Sequence, residues 1–396
     1  MPFRLLREVR GGVRLAVDGV RGVTRIVEGV HGSVVRLAPP VGKRDERQLG
    51  GISGFVYRSI HGTTNLVGMG LDSALAGAEK LMQVLPRDAA DLPTDTDNSA
   101  LTPQRDAVIS ALNGVLGDHL ARTGNPLAIE MQLTRRSLAG AKPLLLIHGL
   151  CMNDQQWTRN GHDHGQALAA SQGFSPFYLR YNTGLHISSN GASLAALLEK
   201  TFDAWPVAID DFTIIGHSMG GLVARSAVQQ AIASGMEWPL LLKKLVFLGT
   251  PQHGAPLERS GNWLHRGLGV SPYVAPFTRL SGLRSEGITD LRHGNLQDID
   301  WAEGRFVQRD TRTMVPLPQG VTCYAIAGTL GRDPNGDWRG DGLVSVASAL
   351  GRHEKPTRQL GIPASRTFVA AGVNHLDLLA SDAVYRKLAK WLRADS

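Results

Sequence analysis

Short apolar runs alternate with amphipathic stretches from about Leu127 to the end of the chain. The apolar runs have strand length, and the stretches between them place apolar residues at helical intervals. We predict strands at Leu127–Leu133, Pro143–Ile147, Phe174–Tyr181, Phe212–Ile215, Lys244–Leu248, Val321–Ile326 and Thr367–Ala370, and helices at Ser193–Trp205, Gly221–Ser234 and Ser381–Leu392. This alternation is typical of an α/β protein with a mostly parallel sheet flanked by helices.

The first 125 residues have a different pattern. Valines at helical spacing, such as Val13 and Val20, fall on one side of a helix, and arginines such as Arg10 and Arg21 fall on the other. Glycines interrupt the run, so such a helix needs a surface to fold on. That surface is its own domain, a second copy of the chain in a homo-oligomer, or a membrane surface contacted peripherally.

Helical spacing continues through residues 53–85 and 104–122. We therefore predict a helical N-terminal extension at 1–125, basic and amphipathic over 1–50 and helical over 51–125. An α/β domain at 126–396 follows it.

Composition narrows the function classes. The chain has 396 residues, 42% of them hydrophobic, which is enough for one large domain and an extension. Its formal net charge is +7, but residues 1–60 hold eleven Lys/Arg against five Asp/Glu, which is +6 of that total. The near-neutral remainder argues against nucleic-acid binding.

Cysteine content and hydropathy bear on location. Cys151 and Cys323 lie beside apolar runs, so we expect buried thiols, although one bridge is possible. We see no apolar stretch of signal-peptide or membrane-spanning length. These features favour a cytoplasmic protein, with membrane association left open.

The strongest chemical signal is Gly216-His217-Ser218-Met219-Gly220. An apolar strand precedes this G-x-S-x-G pattern and a helix-forming run follows it, which is the context of a nucleophile elbow. In such an elbow, Ser218 sits on a sharp turn between strand and helix. The alternative is an incidental glycine-rich turn.

A serine nucleophile needs a base and an orienting acid, which follow it in the order acid, then histidine. His375 comes after the strand at 367–370, and we predict it as the base. Asp333, Asp337 and Asp341 follow the strand at 321–326. We favour Asp341 because its glycine neighbours allow a buried carboxylate and an apolar run follows it.

Two backbone N–H groups should stabilise the oxyanion. One belongs to Met219, the residue after the nucleophile. The other should come from the loop after the strand at 143–147, which begins His148-Gly149-Leu150, so we predict the amide of Leu150. Gly149 would let this loop approach the site closely.

The segment from about 256 to 319 is apolar and irregular, and it has no clear strand. We predict a cap or lid that lines an acyl pocket, or else a helical decoration packed away from the site. The residues that we expect to contact substrate are His148, Gly149, His217, Trp263 and Phe277.

Several motifs together resemble bacterial lipases and related esterases of the α/β-hydrolase superfamily. They are His148-Gly149-Leu150, Gly216-His217-Ser218-Met219-Gly220-Gly221, Gly249-Thr250-Pro251-Gln252-His253-Gly254, Asp341-Gly342-Leu343-Val344 and Asn374-His375-Leu376-Asp377. The resemblance covers the C-terminal two-thirds only. It implies Ser218, Asp341 and His375 as a triad, Leu150 and Met219 as oxyanion donors, and a mobile lid.

Some of those lipases hold a structural calcium near the catalytic histidine, and Asp377 matches one ligand. The other ligands cannot be aligned, so we predict no metal and no cofactor. The loop Gly161-His162-Asp163-His164-Gly165 has too few ligands for a metal site, and phosphate-binding loops are absent from the sequence.

The sequence therefore predicts a serine esterase or lipase that acts on an ester or lipid through an acyl-enzyme intermediate. An acyltransferase or amidase would use the same triad. A membrane-bound or oligomeric binding protein that acts through the extension is the alternative from another class.

Overall fold

A computed structural model describes residues 7–15, 101–255, 285–302, 304, 310–332 and 340–393. The chain divides into two compact units, one comprising 1–96 with 120–128 and the other 97–119 with 129–396. In the first unit, residues 7–15 are helical, and the Asn125 side-chain amide donates a hydrogen bond to the carbonyl of Gly11 (3.0 Å). The helices expected over 16–85 lie outside the described residues.

A seven-stranded sheet is the framework of the second unit. Its strands are β1 (Gln132–Arg135), β2 (Pro143–Ile147), β3 (Ser175–Arg180), β4 (Phe212–His217), β5 (Leu242–Leu248), β6 (Thr322–Thr329) and β7 (Thr367–Ala371). The spatial order is β1-β3-β2-β4-β5-β6-β7, and every neighbouring pair is parallel except β1 with β3. The predicted mostly parallel sheet is confirmed.

The helices flank this sheet. They are α1 (Leu101–Arg122), α2 (His164–Gln172), α3 (Ile187–Asp203), α4 (Met219–Ala233), α5 (Glu286–Asp290), α6 (Val346–Ala349) and α7 (Asp382–Leu392). Single 3-10 turns occur at Asp154–Trp157, Trp238–Leu241, Asp298–Trp301, Pro356–Arg358, Ala364–Arg366 and Asp377–Leu379.

Alternate residues of each strand point to opposite faces of the sheet, so each face has its own core. On one face, Leu146 and Ile215 pack with apolar residues of α2 and α7, among them Leu168 and Leu388. On the other face, Phe212 contacts Phe202 of α3 edge to face, with ring centroids 4.6 Å apart. Both faces of the sheet are therefore covered, as its buried strands require.

The sequence predicted most strands within two residues, but β6 continues three residues beyond its predicted end and β1 begins five residues late. The apolar run from Leu127 was expected to begin a strand, but β1 begins only at Gln132. The N–H of Leu127 donates to the Asn125 side chain, and that of Ile129 donates to the Asn113 side chain. These side-chain bonds satisfy the backbone in a turn, so strand pairing starts later.

One helix begins earlier than predicted, and another was not predicted. Helix α3 begins at Ile187, not Ser193, because its polar first turn is buried and bonded; Asn190, for example, donates to the carbonyl of Asn182. Helix α2 was not predicted. Its limits match ordinary capping signals, since Asp163 accepts from the N–H of Gln166 and Gly173 ends the helix at φ 72°.

The region predicted as a cap contributes α5 and one 3-10 turn in its described part, and none of those residues forms a strand. Cys151 and Cys323 are free and buried. In the described part of the chain, every helix is too short or too polar to cross a membrane.

Candidate active site

Ser218 lies at the turn between β4 and α4 in a strained conformation. Its φ is 55° and its ψ is −125°, outside the regions that non-glycine residues favour. The N–H of Ser218 donates to the carbonyl of Leu248 in β5 (2.8 Å), which fixes the turn to the sheet. Such a turn lifts the hydroxyl above the strand ends, as the elbow motif predicts.

The glycines around Ser218 make this turn possible. A Cβ at Gly216 would lie 2.5 Å from Cα of Gly221, and a Cβ at Gly220 would lie 2.3 Å from the carbonyl oxygen of Ile147. Both contacts are with backbone atoms, which cannot rotate away. The close crossing of strand and helix therefore requires glycine at both positions.

His375 and Asp341 form a buried pair beyond the carboxyl ends of β7 and β6. Their side chains are joined by a 2.7 Å bond between Nδ1 of His375 and Oδ2 of Asp341, and both side chains are at most 2% exposed. The other carboxylate oxygen of Asp341 accepts from the N–H groups of Leu343 and Val344 (3.0 and 2.9 Å). These bonds fix the carboxylate and so orient the imidazole.

This pair lies next to the Ser218 turn. The rings of His217 and His375 are 4.8 Å apart, and Nε2 of His217 bonds the carbonyl of His375 (3.0 Å). Nε2 of His375 is buried and has no hydrogen-bond partner within the described part of the chain. Because Nδ1 donates to Asp341, Nε2 carries the lone pair and is the atom available to take a proton.

Gly249 follows β5 and lies close to the pair of His375 and Asp341. Its φ is 57°, and an added Cβ would lie 3.2 Å from both Oδ2 of Asp341 and Cε1 of His375. A side chain at this position would therefore disturb both groups.

The loop after β2 approaches Ser218 from the other side. A Cβ at Gly149 would lie 2.9 Å from Cβ of Ser218 and 3.4 Å from its hydroxyl oxygen. Leu150 follows in the same loop, and Met219 is the first residue of α4. Both are buried, at 2% and 0% exposure. Met219 therefore follows Ser218 in the chain, and Leu150 belongs to a loop that approaches Ser218 in space.

The carbonyl of Gly149 and the N–H of Leu150 belong to the same peptide group. It is bonded by Nδ1 of His148 (2.9 Å) and accepts from the N–H of Met152 (3.3 Å). The C=O and N–H of a trans peptide point in opposite directions. Holding the oxygen on one side therefore directs the Leu150 N–H to the other.

His148 and His217, which were predicted to contact substrate, are both fully buried. Burial lowers the pKa of His148 to about 3. Burial, followed by the neighbouring His375, lowers the pKa of His217 well below 6.5. Each is therefore a neutral side chain at pH 7, and each bonds a backbone carbonyl of the site.

Trp263 and Phe277 lie outside the described residues. The part of the predicted cap that is described includes α5, which packs close to Met219. A Cβ at Gly287 would lie 3.2 Å from Cε of Met219, and the Gly287 N–H donates to the carbonyl of Gly184 (3.1 Å). This segment therefore borders the proposed oxyanion donor.

Asp377, considered above as a calcium ligand, is bonded to two side chains. Its carboxylate pairs with Arg159 (3.0 Å) and accepts from the Asn374 side-chain amide (2.6 Å). In the part of the chain that is described, no group of three or more His, Cys, Asp or Glu residues could hold a metal ion.

The geometry also includes features that the sequence did not reveal. Cys151 has a φ of 61°, a left-handed value that is uncommon for a residue other than glycine. Tyr181 and Thr183 bond the same loop through their hydroxyl groups. No local motif marks these residues, because their partners are about thirty positions away in the chain.

Comparison with known proteins bears on the fold of the second unit. Residues 138–315 match the PGAP1-like alpha/beta domain. This match and the strand order above give the second unit its fold. It is an α/β-hydrolase fold. No curated protein matches the chain.

Solved structures similar to the second unit are distant. A mature lipase from Bacillus licheniformis is 16% identical with a TM-score of 0.42, and the match covers 67% of this chain and 98% of that one. An esterase from Pyrococcus furiosus is 13% identical with a TM-score of 0.39, over 67% and 86%. A lipase-esterase related protein from Clostridium acetobutylicum is 11% identical with a TM-score of 0.38, over 67% and 98%. Similarities at this level do not specify a substrate.

Proposed function

We propose that this protein is a serine hydrolase that cleaves carboxylic esters through an acyl-enzyme intermediate. The observation that carries the proposal is the buried 2.7 Å bond between His375 and Asp341 beside the strained turn of Ser218. A histidine held in this tautomer by an acid is the partner that a serine nucleophile needs.

In the first half of the reaction, the hydroxyl oxygen of Ser218 attacks the ester carbonyl carbon. Its proton passes to Nε2 of His375, and the carbonyl oxygen becomes an oxyanion. The N–H groups of Leu150 and Met219 stabilise this charge. The tetrahedral intermediate then breaks its bond to the alcohol oxygen, which takes the proton from His375 and leaves Ser218 acylated.

In the second half, water attacks the acyl carbon and gives a proton to His375. The second tetrahedral intermediate releases the carboxylic acid, and the proton returns to the Ser218 oxygen. Asp341 remains a carboxylate throughout, because its role is to orient the imidazole and stabilise it when protonated.

The apolar character of 256–319 supports a substrate with an apolar acyl group. Its described helix α5 lies beside the Met219 side chain, where a Cβ on Gly287 would be 3.2 Å from Cε of Met219. We therefore propose esters of fatty or short aliphatic acids as the substrate class.

The test is the replacement Ser218→Ala, assayed on a panel of nitrophenyl esters of increasing acyl length. We expect kcat/KM to fall by about 10⁴-fold or more, since the nucleophile is lost. The matched control is Ser226→Ala, because Ser226 is buried about two turns further along the same helix, where its hydroxyl donates to the carbonyl of Leu296. Turnover retained in the Ser218 variant would disprove the proposal.

A further inference from the structure

The loop from His148 to Met152 is held in a conformation that its own residues do not favour. Cys151 adopts a φ of 61° in a chain position where glycine would be the natural choice. A strained residue of this kind persists only where its surroundings hold it. The bonds that fix this loop are therefore part of how it works.

Two buried hydroxyl groups hold the loop, both from residues directly after β3. The hydroxyl of Tyr181 donates to the carbonyl of His148 (2.8 Å), and the N–H of Cys151 donates to the hydroxyl of Thr183 (3.1 Å). Tyr181 and Thr183 are each 1% exposed, and the Tyr181 ring stacks on His148 at 4.5 Å. Water therefore does not compete for either bond.

These two bonds fall on either side of the Leu150 amide. The carbonyl of His148 lies in the peptide before the Gly149–Leu150 peptide, and the N–H of Cys151 lies in the peptide after it. With both flanking peptides fixed, the plane of the central peptide has little freedom. Gly149 in that peptide lies so near Ser218 that an added Cβ would be 2.9 Å from Cβ of Ser218, so any rotation would move the Leu150 N–H relative to the nucleophile.

We propose that Tyr181 and Thr183 are positioning residues that hold the Leu150 N–H toward the oxyanion. The inference rests on the proposed ester hydrolysis and adds two residues to it. Oxyanion donors act by being oriented before the charge forms. Loosening the loop should therefore raise the energy of the tetrahedral intermediate and leave substrate binding nearly unchanged.

The test uses the full chain with Tyr181→Phe and Thr183→Val, each of which removes one hydroxyl and keeps the shape. For a soluble nitrophenyl ester, we expect kcat to fall about tenfold in each variant with KM nearly constant, less than the effect of losing an oxyanion donor outright. An alkylboronic acid forms a tetrahedral adduct with a serine nucleophile. Its inhibition constant should rise by the same factor as kcat falls.

Matched controls separate positioning from stability. Tyr178→Phe removes a buried hydroxyl on β3, the strand before Tyr181, whose bond goes to Asp163 (2.8 Å). Thr213→Val removes a buried hydroxyl that bonds Asp211 at the start of β4 (3.1 Å). Both should leave kcat and the boronic acid affinity unchanged. Thr183→Ser keeps the hydroxyl and should restore activity even if the valine variant folds poorly.

Unchanged kcat and boronic acid affinity in folded Tyr181→Phe would overturn the inference, as would equal losses in the Tyr178 control. In that case, the proposed ester hydrolysis would still stand if Ser218→Ala abolishes the activity of the wild type. A wild type without serine-dependent hydrolysis would overturn both proposals.

Discussion

Two non-glycine residues of the site have left-handed backbone conformations, Ser218 at φ 55° and Cys151 at φ 61°. Ser218 is held largely by its neighbours in the chain, a strand before it, a helix after it and glycines on both sides, and its N–H also bonds the carbonyl of Leu248 in β5. Cys151 is held from a distance, by Thr183 and by helix α1, where a Cβ on Gly114 would lie 2.2 Å from the Cys151 sulfur. Similar strain can thus have local or non-local support.

The difference explains which parts of the site the sequence could predict. Local support leaves a local pattern, so the glycines around Ser218 identified it. Non-local support leaves no pattern, because nothing near Tyr181 or Thr183 in the sequence shows what their hydroxyl groups contact. Breaking each kind of support should have different effects.

The largest loss of stability is expected from disrupting the glycines around Ser218, which are its local support. Replacing Gly216 with Ala places a Cβ 2.5 Å from both Cα and N of Gly221, so strand and helix must separate. We expect a loss of about 3 kcal/mol or more in the free energy of unfolding, measured by urea denaturation. Gly12→Ala is the control, since its added Cβ meets nothing within 4 Å. A Gly216 variant as stable as the wild type would show that the crossing of strand and helix can relax.

The non-local support is tested at Gly114 of α1. An alanine there would push against the sulfur and Cα of Cys151 (2.2 and 3.0 Å). We expect a loss of about 2 kcal/mol in stability and a fall in kcat, since the displaced loop carries Leu150. The double variant with Cys151→Ala removes the sulfur and should recover part of both losses. Additive losses in the double variant would contradict a direct contact between the two residues.

The pH dependence of stability should involve His148, in the same loop. Burial lowers its pKa from 6.5 to about 3, so below pH 6.5 the unfolded chain binds a proton that the folded chain excludes. Its contribution to stability is complete above pH 6.5 and decreases as the pH falls toward 3, by at most about 1.4 kcal/mol per pH unit.

Urea denaturation between about pH 7 and about pH 5 measures this slope. The replacement His148→Gln should flatten it, and above pH 6.5 the curves of both proteins should run parallel. Identical slopes for the two proteins below pH 6.5 would mean that His148 is protonated in the folded state.

The smallest effect is expected from the strain at Cys151 itself. Cys151→Gly and Cys151→Ala both remove the sulfur, and they differ in their cost at φ 61°. The glycine variant should be the more stable by about 1 kcal/mol, measured by thermal unfolding. A more stable alanine variant would indicate that the loop does not keep its left-handed residue in solution.

The sequence located the sheet and the residues of the proposed triad because each follows an apolar strand. It did not locate the start of β1, where side-chain bonds from Asn113 and Asn125 replace strand pairing. It also did not reveal the pair of Arg159 with Asp377, which lie 218 positions apart. Contacts of this kind depend on the folded arrangement, which hydrophobic periodicity does not encode.

The strand order has a consequence for biosynthesis. Ribosomes make β1 to β4 before β5 to β7, so the turn of Ser218 and the Leu150 loop can form early. The loops carrying Asp341 and His375 follow β6 and β7, which join the far edge of the sheet last. We infer that a growing chain has its nucleophile long before its base. Under the proposed mechanism, hydrolysis begins only after β7 pairs with β6.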